Sequence, residues 1–186
     1  MNRNIHDYVK IYKNYLNPNT CDLTVKYLES CEFNIHKFYN VASNSYLSNE
    51  NELSSYAGIA PLHEDIMQAN RQAIFQYILE LSFPWYGSWE GFAFPKYNKY
   101  VPGTEMKEHC DHIYDLFDGT RKGIPTLTLI GALNNEYAGG EFVMFQDETY
   151  ELKKGEIIVF PSNFLYPHRV DTVTHGIRYS YATWVW

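Results

Sequence analysis

At 186 residues, 45% hydrophobic and 20% charged, the chain is long enough to bury a sizeable core and reads as a single domain over 1–186. A formal net charge of −7 makes nucleic acid a poor partner unless the charge is unevenly spread, an exception that the run Lys96, Lys99 and Lys107 keeps open. No segment has the apolar length of a membrane span or a signal-peptide core, and three cysteines (Cys21, Cys31, Cys110) without framework spacing suit a reducing, cytoplasmic setting.

Ile5, Tyr8, Val9, Tyr12 and Leu16 fall at helical spacing, which predicts a helix over 5–16 that Pro18 stops. Thr20 is placed to cap a second helix, with Asp22 in its first turn and Cys21, Val25, Leu28 and Cys31 as its buried stripe. Residues 40–58, rich in Asn, Ser and Glu, read as a long loop. Pro61 opens a helix through about Leu81 with Met67, Ile74, Ile78 and Leu81 on one face, suited to an outer layer on a sheet. From residue 84 onward, closely spaced Gly and Pro separate short β-favouring runs near 92–101, 126–133, 141–145, 149–153, 157–160, 169–173 and 177–186. Many short strands predict a sandwich or jelly roll. The 17 tyrosines fit the packing of such a fold, and Pro84-Trp85-Tyr86-Gly87-Ser88-Trp89 can supply aromatic contacts to a peptide or simply form a packed turn.

The chemistry concentrates at His109-Cys110-Asp111. In an extended segment, residues i and i+2 leave the same face, so imidazole and carboxylate point together while Cys110 and His112 point away. His168 offers a third ligand, with His175 as its rival. Two histidines and one carboxylate on one side of a metal form the facial triad of non-haem Fe(II) oxygenases. His63-Glu64-Asp65 has the same spacing but lies in a predicted helix, where i and i+2 diverge. His6 and His36 read as surface residues. Ten positions after His168, Arg178 offers a planar fork for a carboxylate; the last strand puts it on one face with Ser180, Ala182 and Trp184, unless Glu141 or Glu156 pairs with it.

In order, Tyr100-Val101-Pro102-Gly103, His109-Cys110-Asp111, Ala132-Leu133-Asn134, Tyr137-Ala138-Gly139-Gly140-Glu141-Phe142, His168-Arg169-Val170 and Gly176-Ile177-Arg178 resemble the Fe(II)/2-oxoglutarate-dependent dioxygenases, in the prolyl and lysyl hydroxylase branch, over roughly 92–186. The resemblance implies a mixed α+β fold, with a double-stranded β-helix (a cupin-like jelly roll) at about 90–186 carrying a helical layer of about 1–84. It implies His109, Asp111 and His168 on Fe(II), Arg178 on the distal carboxylate of 2-oxoglutarate, and Tyr100 as a further co-substrate contact. It also implies O₂ as oxidant, ascorbate as an auxiliary reductant, and hydroxylation of a prolyl or other residue of a peptide or protein with release of succinate and CO₂. Where relatives carry another tyrosine before Leu-Asn, this chain has Gly131-Ala132, so Thr126 or Thr128 is the expected substitute. The alternatives left open are a non-catalytic metal- or 2-oxoglutarate-binding module, a cupin-like metalloenzyme that needs no oxoacid, and a dioxygenase acting on a small molecule or nucleobase.

Overall fold

The computed structural model describes residues 3–40, 43–49, 51–83, 91–111 and 125–186. A single 3-10 turn over Ile5–Tyr8 leads into β1 (Lys10–Tyr12), α1 (Pro18–Leu28) and the short strands β2 (Asn34–Ile35), β3 (Phe38–Asn40), β4 (Ser45–Leu47) and β5 (Ser54–Tyr56). After α2 (His63–Leu81) come β6 (Lys96–Tyr100), β7 (Met106–His109), β8 (Leu127–Ala132), β9 (Tyr137–Gly139), β10 (Phe142–Met144) and β11 (Glu148–Tyr150). The chain ends with β12 (Ile157–Pro161), β13 (His168–Val170), β14 (Val173–Gly176) and β15 (Arg178–Val185). A seven-stranded sheet, β1-β12-β8-β15-β6-β5-β2, and a four-stranded sheet, β11-β10-β13-β7, carry the fold, with small pairs β14-β9 and β3-β4.

Period-two alternation gives the large sheet two apolar faces. Leu129, Ile157, Val159, Tyr179, Tyr181 and Val185 pack under the helices with Ile66, Ala73, Ile74, Tyr77 and Leu28. Ile130, Ala132, Ile158, Phe160 and Ala182 leave the other face and meet Phe142, Met144 and Val170 of the small sheet. The helical face is keyed by Gly131, where an added Cβ would lie 2.1 Å from the Tyr181 ring. That room lets the Tyr181 hydroxyl donate to Asn70 Oδ1 on α2 at 2.8 Å. The expected outer-layer helix is therefore present, starting at His63 rather than Pro61 after a left-handed Leu62.

Several expectations for the N-terminal part need correction. Residues 5–16 are not one helix: β1 pairs with β12, Ile11 opposite Ile158, because edge pairing on the large sheet satisfies a β-branched stretch better than an isolated helix would. Pro18 does not end an element but begins α1 at its first turn, where its missing N–H is no loss, and Asn17 rather than Thr20 is the cap, accepting from Asn19 N at 2.9 Å. Thr20 and Cys21 are buried inside that helix, whereas Cys31 is half-buried with its thiol toward Tyr27 O. The 40–58 stretch contains part of a hairpin and β5, which extends the large sheet beside β6. The helical layer expected over 1–84 therefore also contributes strands. Residues 84–89 and His112 lie outside the described residues.

Candidate metal centre and co-substrate pocket

Small-sheet pairing sets His168 directly opposite His109. Their rings stand 4.4 Å apart, and Phe142 and Phe160 wall in His168, which is only 4% exposed. Asp111 follows two residues after His109 and is buried. One ligand atom from each of His109, Asp111 and His168 lies within 4.8 Å of the others, and no other such group of His, Cys, Asp or Glu occurs among the described residues. His175 is exposed on β14, and His63 stacks edge-on against Phe94 in its helix; neither joins the cluster.

The hydrogen bonds decide which nitrogens are available. His109 Nδ1 lies 2.8 Å from Lys107 O, and His168 Nδ1 lies 3.1 Å from Tyr166 O. Since a carbonyl only accepts, each Nδ1 carries the proton and each Nε2 presents a lone pair. Those two Nε2 atoms face the two Asp111 oxygens at 3.6 and 3.8 Å, too long for hydrogen bonds. Ligands at ~2.1 Å from one ion and at right angles would stand about 3 Å apart, so a small closure accommodates a divalent ion. Burial, then His109, holds the His168 imidazole down to about 4, so it is neutral, as a ligand must be. Burial pushes Asp111 upward, but His168, His109 and the Thr128 hydroxyl outweigh it and keep the carboxyl below its ordinary value.

Thr128 donates to Asp111 Oδ2 at 2.7 Å and lies 2.8 Å from Ser162 Oγ. Thr128 therefore supports the carboxylate rather than the co-substrate, and Thr126, bonded to Val185 O, is not available either. From the sequence Thr128 was expected only as a substitute co-substrate contact, and Ser162 was not singled out.

Across the same inner face, β15 is paired to β6 with Arg178 opposite Tyr100, Ser180 opposite Asn98 and Ala182 opposite Lys96. Arg178 is 2% exposed and forms no ion pair among the described residues, so neither Glu141 nor Glu156 neutralises it. Its Nη1 donates to Ser180 Oγ at 2.9 Å while its Nε has no partner. The guanidinium carbon sits 4.9 Å from the Tyr100 ring centre and 5.9 Å from that of Tyr137, and burial pushes the Tyr100 phenol up to about 12. A Cβ on Gly140, at φ +68°, would come within 3.0 Å of Arg178 Cδ, so the glycine makes room for the side chain. A cleft of about 410 Å³ opens beside Arg178, lined by Tyr137, Gly139, Gly140 and Phe142 among others. Ala132 and Ser180 keep the inner face small there. A buried cation with an unused donor, flanked by two tyrosines, has the chemistry to take a carboxylate.

Two site neighbours, His36 and Glu52, were not recognised from the sequence, and Lys96 was noted only as part of a basic run near the site. Lys96 Nζ lies 3.4 Å from His36 Nδ1, and both feel Asp111. His36 is thus half-buried near the centre, not a surface residue, because its backbone N–H bonds Leu53 O, which ties it to β5. Lys99 leaves the other face toward Phe33 and Tyr179, so the basic run is no single patch. Glu52 is 3% exposed with both oxygens unpartnered. The only possible sequence signal for these was the alternation that puts Lys96 on the Tyr100 face.

Comparison with known proteins supports this geometry. The family model described as the 2OG-Fe(II) oxygenase superfamily matches residues 95–186. A PKHD-type hydroxylase of Rippkaea orientalis is 33% identical over 92 residues, covering 48% of this chain and 40% of that protein, so the match spans less than half the length of this curated relative. Among solved structures, the viral collagen prolyl hydroxylase of Paramecium bursaria Chlorella virus-1 in its 2OG complex superposes with a TM-score of 0.67 at 17% identity, over 96% of this chain and 94% of that one. A Trichoplax adhaerens prolyl hydroxylase bound to a hypoxia inducible factor peptide gives 0.69 at 15% identity, over 97% and 84%. These likenesses fix the architecture across nearly the whole chain. The match over residues 95–186 and these likenesses together support a 2OG-Fe(II) oxygenase of prolyl hydroxylase-like type.

Proposed function

We propose that the chain is a Fe(II)- and 2-oxoglutarate-dependent dioxygenase that hydroxylates a C–H bond of a prolyl or other residue in a peptide or protein, releasing succinate and CO₂. The observation that carries it is the convergence of two imidazole lone pairs and one carboxylate beside an arginine with no internal acid. In this reading His109, Asp111 and His168 hold the metal, Arg178 with Ser180 and Tyr100 holds the distal carboxylate, and residues 1–186 form one catalytic unit whose two sheets are the halves of a jelly roll. The bound iron supplies the oxidation of the oxoacid and of the substrate C–H by O₂. The chain's own share is positioning: Lys107 O and Tyr166 O fix both ring tautomers, Thr128 turns Asp111 toward them, and Phe142 and Phe160 shield His168 from water.

The peptide assignment is supported by the Trichoplax neighbour's bound peptide and by the viral neighbour's description as a collagen prolyl hydroxylase. Ascorbate as auxiliary reductant and a cytoplasmic setting belong to the same proposal; the free thiols Cys21, Cys31 and Cys110 accord with a reducing compartment. Among the described residues no helix is long and apolar enough to cross a membrane. The test is mass spectrometry of candidate peptides for one added oxygen, with and without 2-oxoglutarate, alongside succinate release. Oxoacid-dependent oxidation is expected. Absence of both succinate and oxidised product with Fe(II) present would overturn the assignment.

A further inference from the structure

The charges of the loaded centre leave one cation over. A divalent ion, ionised Asp111 and two neutral imidazoles sum to one positive charge; an oxoacid dianion against Arg178 sums to one negative, and the two cancel. Lys96 stands outside that balance. It points from β6 onto the same inner face as Ala182 and Tyr100, it is half-buried, and no carboxylate of the described residues lies within salt-bridge distance of it. Asp111 is the one acid that acts on it, and metal binding engages that carboxylate. A half-buried cation without an anion is partly desolvated at a cost, so an anionic group placed there would be stabilising.

His36 shows what completes it. Lys96 Nζ donates to His36 Nδ1 at 3.4 Å. An ammonium only donates, so Nδ1 is the acceptor and the ring proton sits on Nε2. Burial first, then Lys96 and His109, lower His36 to about 4, which keeps the ring neutral and this tautomer in place. The pair therefore presents the remaining ammonium N–H groups and one imidazole N–H. The backbone holds it beside the candidate metal ligands: His36 N bonds Leu53 O, and Leu53 N bonds Glu105 O, next to the strand that ends in His109.

We infer that Lys96 and His36 form a carboxylate-binding subsite that selects substrates bearing an acidic group near the oxidised C–H. This rests on the oxygenase reading and names its substrate class. The carboxylate is that of an aspartyl or glutamyl side chain or of a peptide C-terminus. Recognition is local, since the overall charge of −7 repels acidic peptides at long range.

The test uses a randomised peptide library lacking Met, Cys and Trp, which gain oxygen without an enzyme, prepared with free and with amidated C-termini. Products with one added oxygen are sequenced after turnover by wild type, Lys96→Met, Lys96→Arg and His36→Leu. Each variant's enrichment is read against its own unselected library, which removes any loss of overall rate. Wild type is expected to enrich Asp or Glu, or the free C-terminus, by about tenfold near the oxidised residue, corresponding to ~1.4 kcal/mol of discrimination. Lys96→Met abolishes the enrichment, His36→Leu reduces it, and Lys96→Arg keeps it. Enrichment confined to free C-termini would identify the chain end as the carboxylate. Products without acidic enrichment, enrichment that survives Lys96→Met, or oxoacid consumption with no peptide oxidised would each overturn the inference. Failure to release any succinate would instead bring down the oxygenase reading beneath it.

Discussion

Replacing Thr128 by Val keeps the side-chain shape and removes one hydroxyl, which makes it a sharp probe of how the metal ligand is held. That hydroxyl is fully buried and donates to Asp111 Oδ2 at 2.7 Å while meeting Ser162 Oγ at 2.8 Å. A buried hydrogen bond to a charged acceptor contributes ~1.5–3 kcal/mol. Part of the loss appears as lower stability of the metal-free protein. Part appears as metal affinity, because Asp111 loses both its orientation and one of the groups that keep it ionised. Supporting partners of this kind change affinity by about 10–100-fold, or ~1.4–2.7 kcal/mol. Mn(II) titration followed by electron paramagnetic resonance measures the affinity, and calorimetric melting of the metal-free protein measures the stability. Thr128→Ser, which keeps the hydroxyl, is expected to retain most of the affinity. A Thr128→Val protein that melts earlier yet binds Mn(II) within about twofold of wild type would show that Thr128 only packs, and the reasoning would fail.

Arg178→Met is expected to weaken 2-oxoglutarate binding to the Mn(II)-loaded protein by ~2–5 kcal/mol, the usual cost of truncating a buried charge pair, as read by isothermal titration calorimetry; an unchanged affinity would make the arginine incidental. Gly140→Ala forces a Cβ to 2.8 Å from Val173 and 3.0 Å from Arg178 at φ +68°. It should cost ~1–2 kcal/mol and lower Tm by a few degrees, with weaker 2-oxoglutarate binding as the sign that Arg178 has moved. Glu52 is raised from 4.5, chiefly by burial, so its folded value exceeds its unfolded one. Its stabilising contribution is then complete below 4.5 and is lost as pH rises through the raised value. Glu52→Gln should therefore raise Tm near neutral pH and lose that advantage on acidification; an advantage independent of pH would contradict this sign.

Two kinds of information meet in this protein. His109 with Asp111 and His168 with Arg178 were legible because each pair is local in sequence, two residues apart in the first and ten in the second. The α2 stripe was legible because burial on one side repeats every turn. The N-terminal elements were not, because Ile5 to Leu16 carries a spacing compatible with helix, and only pairing with β12 decides for strand. Long-range contact likewise decided the finer chemistry. Thr128, Ser162, Lys96 and His36 carry no motif; they come from four separate stretches of chain, and only the packed tertiary structure brings Thr128 to Asp111 and Lys96 to His36. Sequence by itself pointed to the candidate groups for a metal and an oxoacid. Tertiary structure decided their tautomers, their supports and the charge left unbalanced beside them, because hydrogen-bond partners and burial are properties of the packed chain and not of residue spacing.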